Sequence, residues 1–332
     1  MTSASTSDLA TSCWSALKGG DLRLAIGAGA SIDAGLPYWT ELARRLAAWM
    51  RGKVAGACRM EPSWAIECIR GKASEVEYRR ALRLALYGPG FALSPHTWPF
   101  LAIRHLAAIA AEIALLSPDA PCHVITYNLD CLLELSLQRL GLTAVAMVPV
   151  LGESRPYRIL TFCPEEAPPR DRPVVRIVHP HGLVHIAEDQ LTDERQLLAM
   201  PLTMSSEDYE IRGGVADVWQ NSQQIAAFSQ HRCLFYGFGF ADPSVRRLLR
   251  LAAQIRGTST RSKRDSGHMT MLLTLAAGDV PSEQEIEARL ADLGFSHVSW
   301  TLSQSFQDQV GVLHSLSERC RWGGLDHAMN CR

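Results

Sequence analysis

Leu22-Arg23-Leu24-Ala25-Ile26-Gly27-Ala28-Gly29-Ala30-Ser31-Ile32-Asp33-Ala34-Gly35-Leu36-Pro37 is the stretch around which the rest of the chain arranges itself. Its apolar opening, Leu22 to Ile26, reads as a buried strand of a parallel sheet. A turn with Gly27 and Gly29 follows, and then a helical stretch over residues 38–50. Strand, glycine turn and helix in that order bring backbone N–H groups up to a pyrophosphate. Gly27 would allow the tight turn, and Gly29 the close approach of backbone to ligand. The G-x-G-x-x-G fingerprint is incomplete, because Ile32 holds its third position, and no acidic residue ends a second strand to hold a ribose. The glycines alone therefore fit both a dinucleotide site and a tight structural turn.

Outward from this stretch, strands and helices alternate. A helix is expected over 3–18, helices fill 59–116, and a breaker cluster at Ser117-Pro118-Asp119-Ala120-Pro121 precedes a strand at 122–127. Further strands are expected at 143–150, 157–162, 174–178, 233–236, 269–275 and 297–302. Helices are expected after Asn128-Leu129-Asp130, up to Phe228, up to Ile255, and over 282–293 and 305–317. The basic segment 257–267 reads as a surface loop and 319–332 as a loose tail. The pattern is an α/β fold: a Rossmann-like parallel sheet flanked by helices, with an inserted helical lobe at about 59–116.

Composition narrows the function classes. The 332 residues are 47% hydrophobic and 20% charged, with a formal net charge of −1. Nothing there supplies a basic field for nucleic acid, so direct nucleic-acid binding is not expected. No apolar run reaches the roughly 18 residues of a membrane span. Nine cysteines occur without a single C-x-x-C, which fits reduced thiols in a cytoplasm. No metal site is expected.

Three strand ends carry candidate chemistry. Asn128 and Asp130 follow the strand at 122–127, where open α/β sheets bind ligands; an Asx turn capping a helix is the plainer reading. His181-Gly182 ends another strand, with His179 and His185 close by in sequence. An imidazole can act as a base near neutral pH. Gly237-Phe238-Gly239 ends a third, and Asp242-Pro243 after it reads as a helix cap.

Gly27-Ala28-Gly29-Ala30-Ser31 followed by Ala34-Gly35-Leu36-Pro37 resembles the nucleotide-binding loop of the sirtuin family. Asn128 and Asp130 match its N-x-D, His181-Gly182 its H-G pair, and Gly237-Phe238-Gly239 its third, glycine-led motif. Departures are visible too. Deacylating sirtuins continue Asp-Phe-Arg where this chain has Tyr38-Trp39-Thr40, carry Gln where Tyr127 stands, and have a serine at Gly239. Many hold a four-cysteine zinc site that this spacing cannot build. These features look like the divergent branch found in bacterial anti-phage defence, which also has the helix-opening segment matched by Ser205, Glu207, Asp208 and Tyr209.

The resemblance implies a catalytic domain over 1–318 with NAD as substrate. Gly27, Ala28, Gly29, Ser31, Gly35, Pro37, Asn128, Gly237, Phe238 and Gly239 would hold it, with Asn128, Asp130 and His181 catalytic. It implies cleavage of the nicotinamide–ribose bond by water, depleting NAD and halting an infected cell. The alternatives are a deacylase or ADP-ribosyltransferase, and a non-catalytic nucleotide sensor. A homo-oligomer, or a complex with a HerA-type ATPase or a nucleotide-binding protein, is the expected setting.

Overall fold

Leu22–Ile26 is buried at every position, as a strand covered on both faces must be, and it is the middle strand of nine. The computed structural model describes residues 2–3, 5–49, 62–89, 91–92, 94, 96–98, 101–150, 155–164, 172–186, 202, 215–240, 242–258, 268–273, 282–293, 295, 298–303 and 306–323. In chain order its strands are β1 (Thr2–Ser3), β2 (Leu22–Ile26), β3 (Val124–Thr126), β4 (Thr143–Pro149), β5 (Tyr157–Phe162), β6 (Val174–Val178), β7 (Arg232–Tyr236), β8 (His268–Leu273) and β9 (Val298–Ser303). They lie in the order β1-β9-β8-β7-β2-β3-β6-β4-β5. Every neighbouring pair is parallel except β4 with β5. The sheet is Rossmann-like, as expected.

Ten helices accompany it among the described residues: α1 (Thr6–Lys18), α2 (Trp39–Trp49), α3 (Pro62–Arg70), α4 (Glu75–Tyr87), α5 (Ala102–Leu116), α6 (Leu132–Arg139), α7 (Val215–Gln230), α8 (Pro243–Thr258), α9 (Glu283–Asp292) and α10 (Phe306–Ser317). Side chains alternate across a strand, so β2 feeds two cores. Leu22, Leu24 and Ile26 join Val124, Ile177 and Leu234 in the core that includes α1, α5, α6 and α10. Ala25 joins Ile125, Val178 and Phe235 in the core that includes α7, α8 and α9.

Register explains where a site can form. Ile26 pairs with both Thr126 and Tyr236, so the turns after β2, β3 and β7 leave the sheet side by side. The chain runs from β2 to β3, out to β4 and β5 at the edge and back to β6, then crosses to β7 on the other flank of β2. This reversal is where open α/β sheets form a crevice.

Several local expectations change. The last helix of the block expected over 59–116, α5, starts at Ala102 and lies against β2 and β6 rather than in a side lobe. Its alanines let it sit close to the sheet; α2, α3 and α4 form the separate packed group. The strand expected at 122–127 is only Val124–Thr126, and the helix after it waits until Leu132. The two-residue β1 is too short to leave a periodic signal. The stretch read as a loose tail begins packed, with Cys320 and Trp322 buried. Arg104 Nη2 donates to Gly323 O at 2.7 Å, the Arg321 N–H donates to Glu112 Oε2 at 3.1 Å, and His105 Nδ1 lies 2.9 Å from Ser317 Oγ. Residues 324–332, most of the basic segment 257–267, and Ser205, Glu207, Asp208 and Tyr209 lie outside the described residues.

Candidate functional site

Two glycine turns meet at the crevice. The Gly27 N–H donates to Tyr236 O at 2.9 Å, the Gly29 N–H to Gly237 O at 3.0 Å, and the Ala30 N–H to Gly27 O at 3.0 Å. A Cβ on Gly27 would stand 2.5 Å from Gly237 O, and one on Gly29 2.7 Å from Gly237 Cα. Gly237 has φ +72°, and a Cβ there would stand 2.5 Å from Ala30 N. The glycines are thus required by each other. This corrects the sequence reading at the N–H groups of Gly27 and Gly29: each has a carbonyl of the protein as acceptor, so neither is a bare donor for a pyrophosphate. Ala28, Gly35 and Gly239 are exposed and Pro37 is buried. Phe238 is half-buried, its ring edge-on to Tyr127 with centroids 5.3 Å apart.

Next to this contact lies a buried polar chain. Asn128 Nδ2 donates to Ser31 Oγ at 3.0 Å, and Ser31 Oγ donates to Asp130 Oδ2 at 2.9 Å. Asp130 Oδ1 accepts from the Leu132 N–H at 3.0 Å. The turn thus caps α6, as the plainer reading expected, while its side chains also link two strand ends. All three residues are buried. Burial pushes the Asp130 carboxyl up to about 6, against the lowering effect of the bonds from Leu132 and Ser31. Asn128 Oδ1 is buried with no hydrogen-bond partner. Since buried polar atoms are almost always paired, this acceptor is placed to receive a donor from a ligand or water.

Two more orphaned atoms were missed in the sequence: Asp33 Oδ1, in the loop seven residues beyond the end of β2, and the hydroxyl of Tyr236, the last residue of β7. Asp33 Oδ2 accepts from the Ala102 N–H at 2.6 Å and so caps α5 from a distant loop; burial raises its carboxyl pKa. A carboxylate capping a helix 69 residues along the chain leaves no local spacing to read.

Burial separates the three histidines. His179 is fully buried, its Nε2 2.6 Å from Glu134 Oε1 and its Nδ1 3.4 Å from Asn128 O. It braces the Asn128 turn from behind. His185 packs on Phe162 of β5. His181 keeps 16% of its side chain exposed, and its Nε2 stands 3.2 Å from Asp242 Oδ2. Its ring meets the Tyr127 ring edge-on, centroids 5.1 Å apart. The Tyr127 hydroxyl donates to Gln224 Oε1 of α7. Ser31, Asn128 and Asp130 thus meet at the carboxyl ends of β2 and β3, and His181, partly exposed, follows the adjoining strand β6.

Among the described residues no three His, Cys, Asp or Glu side chains are grouped to hold a metal ion. Five buried thiols (Cys13, Cys122, Cys131, Cys233 and Cys320) are pushed up to about 12 by burial, which makes them poor ligands and nucleophiles. No helix among the described residues is long and apolar enough to cross a membrane.

Set beside known families, residues 122–297 match the model of the SIR2-like domain. The match covers more than half of the chain and includes Asn128, Asp130, His181 and Gly237, while the stretch 22–37 precedes it. None of the curated proteins compared matches the chain.

Proposed function

The chain belongs to the SIR2-like domain family, and from that premise we propose that it binds NAD+ and hydrolyses the nicotinamide–ribose bond, releasing nicotinamide and ADP-ribose. One observation carries the reading: the buried Asn128–Ser31–Asp130 chain ends in an acceptor, Asn128 Oδ1, that no protein group fills. A ribose hydroxyl or an attacking water suits that acceptor. The residues fit the ligand in kind, with the Asn128 amide oxygen unpartnered at the end of β3 beside the turn that follows β2.

Bound NAD+ would supply a leaving group that is already cationic, so no side chain need protonate it. What the protein contributes is orientation and a base. Asp130 fixes Ser31, Ser31 fixes the Asn128 amide, and Asn128 Oδ1 directs a hydroxyl or water. His181, on the adjoining strand end, takes the proton of the attacking water. The carboxyl of Asp130 is better suited to this bracing role than to acting as the base, because Leu132 and Ser31 already occupy its oxygens.

The resemblance of residues 27–42 to the defence branch supports a wider role in which NAD loss halts an infected bacterial cell. In that setting the chain acts as a homo-oligomer, or with a HerA-type ATPase or nucleotide-binding partner that controls turnover. The deciding experiment incubates the purified protein with NAD+, with and without an acyl-lysine peptide, and measures nicotinamide and binding heat. Peptide-independent nicotinamide release, lost in Asn128→Ala, is expected. Release only with peptide would favour deacylation, and binding without release a nucleotide sensor.

A further inference from the structure

One hydroxyl from outside the sheet reaches both segments that carry the candidate chemistry. Tyr87 is the last residue of α4, in the packed group α2–α4. Its hydroxyl accepts from the Cys131 N–H at 2.9 Å and donates to Val184 O at 2.8 Å, with Cys131 Sγ 3.4 Å away. Cys131 directly follows Asp130, and Val184 lies three residues beyond His181. A third bond closes the ring: the Val184 N–H donates to Leu129 O at 2.7 Å. The segments after β3 and β6 are therefore clamped to each other by one phenol and one backbone hydrogen bond. Tyr87, Cys131 and Val184 are all buried, away from water that could replace the hydroxyl. Burial also pushes the phenol pKa up, which keeps its proton in place for Val184 O. The helix that presents it is fixed at both ends. Ser74 and Glu77 form a capping box at its start, and the Phe91 ring packs on Tyr87 with centroids 5.5 Å apart. One turn earlier on the same face, Arg83 Nη1 donates to Ile186 O at 3.3 Å. Thus α4 grips two carbonyls of the segment that leaves His181.

We propose that Tyr87 is a positioning residue: its hydroxyl fixes the turn of Asn128 and Asp130 against the turn of His181, and so makes the α2–α4 group part of the frame of the site. Phenylalanine would fill the same space but leave the Cys131 N–H and Val184 O buried without this partner, a state that folded proteins avoid. Each segment would then shift to find another partner, and the separation between the Asn128 amide and His181 would change with it. The effect on turnover rests on the hydrolase reading above; the coupling of the two turns does not.

Tyr87→Phe keeps the ring and its contact with Phe91 and deletes only the hydroxyl. In NAD+ hydrolysis kcat is expected to fall about 10²-fold, the scale of misplacing reacting groups by about 1 Å, with KM changed less. Arg104→Ala is the comparison: it loses a buried bond under α5 and should keep its kcat when folded. Nitrogen-15 NMR needs no turnover. The side-chain amide resonance of Asn128 should shift in folded Tyr87→Phe and stay in place in Arg104→Ala. Hydrogen exchange on the wild-type protein needs no variant, and the Cys131 amide should exchange as slowly as the amides of β3. A rapidly exchanging Cys131 amide, an unmoved Asn128 resonance in folded Tyr87→Phe, or an unchanged kcat where the parent does cleave NAD+ would each overturn the proposal. A shifted Asn128 resonance where the parent never releases nicotinamide would keep the coupling and sink the hydrolase instead.

Discussion

Two clusters of buried polar side chains among the described residues serve different ends. Under α5, Arg104 and Glu112 reach backbone groups of residues 321–323, and His105 meets Ser317. Those bonds fasten the end of the described chain to the core. At the carboxyl ends of β2 and β3, Ser31, Asn128 and Asp130 bond to one another, yet Asn128 Oδ1 is left without a partner. Burying an unpaired polar group costs about 1–3 kcal/mol, a cost that packing alone gives no reason to keep. What sets the second cluster apart is the amide oxygen of Asn128, an acceptor that its own hydrogen-bonded chain leaves over.

The contrast can be tested from both sides. The largest effect is expected for Asn128→Ala, which should cut nicotinamide release by about 10²–10⁴-fold while thermal unfolding stays within a few degrees of the parent. Retained turnover would remove the distinction drawn between the clusters. Next is Gly237→Val, which forces a side chain onto Ala30 N and a left-handed φ. Overpacking of this kind costs about 1–3 kcal/mol or more, read by chemical denaturation. Gly29→Val meets Gly237 in the same way, so it moves the turn and is a poor probe of ligand approach alone.

Arg104→Ala should behave as the mirror image of Asn128→Ala. Loss of its bond to Gly323 O is expected to cost about 1–3 kcal/mol, with nicotinamide release per folded molecule unchanged. The smallest effect is a slope with pH. The folded Asp130 carboxyl titrates at about 6, raised by burial above its ordinary value. A raised carboxyl favours folding fully below about pH 4 and loses that contribution as pH climbs through the folded value. Stability should therefore fall across that window in the parent, and Asp130→Asn should flatten the fall. An equal slope in both proteins, measured by denaturation from pH 4 to 7.5, would show that Asp130 is not the group responsible.

Elements with strong one-dimensional signals were legible from the residues. The largely apolar runs 22–26 and 174–178, each holding one arginine, are strands with the expected ends, and the strand expected at 157–162 is there too. Asn128, Asp130 and His181 were legible as strand-end polar residues matching a family pattern, and the structure puts them at adjoining strand ends. What sequence could not show is who partners whom across the sheet. Gly29 reads as room for a ligand until Gly237, more than 200 residues on, is found against it. Asp242 reads correctly as a cap, yet only the folding of β6 and β7 around β3 and β2 brings its second oxygen to His181. The glycine after His181 picked it out by family resemblance, and burial beside Glu134 shows what His179 does instead.

The central position of β2 also sets a timetable for synthesis. Ile26 is made early, but its partners Thr126 and Tyr236 follow roughly 100 and 200 residues later. At a ribosome speed of about 5–20 residues per second, the apolar segment Leu22–Ile26 waits on the order of 10–40 s before both edges are paired. Through that interval it is a sticky ribbon with open sides. Nascent chains of this protein should therefore lean on a ribosome-associated chaperone, and slowing translation after residue 126 should lower its soluble yield more than slowing it after residue 236.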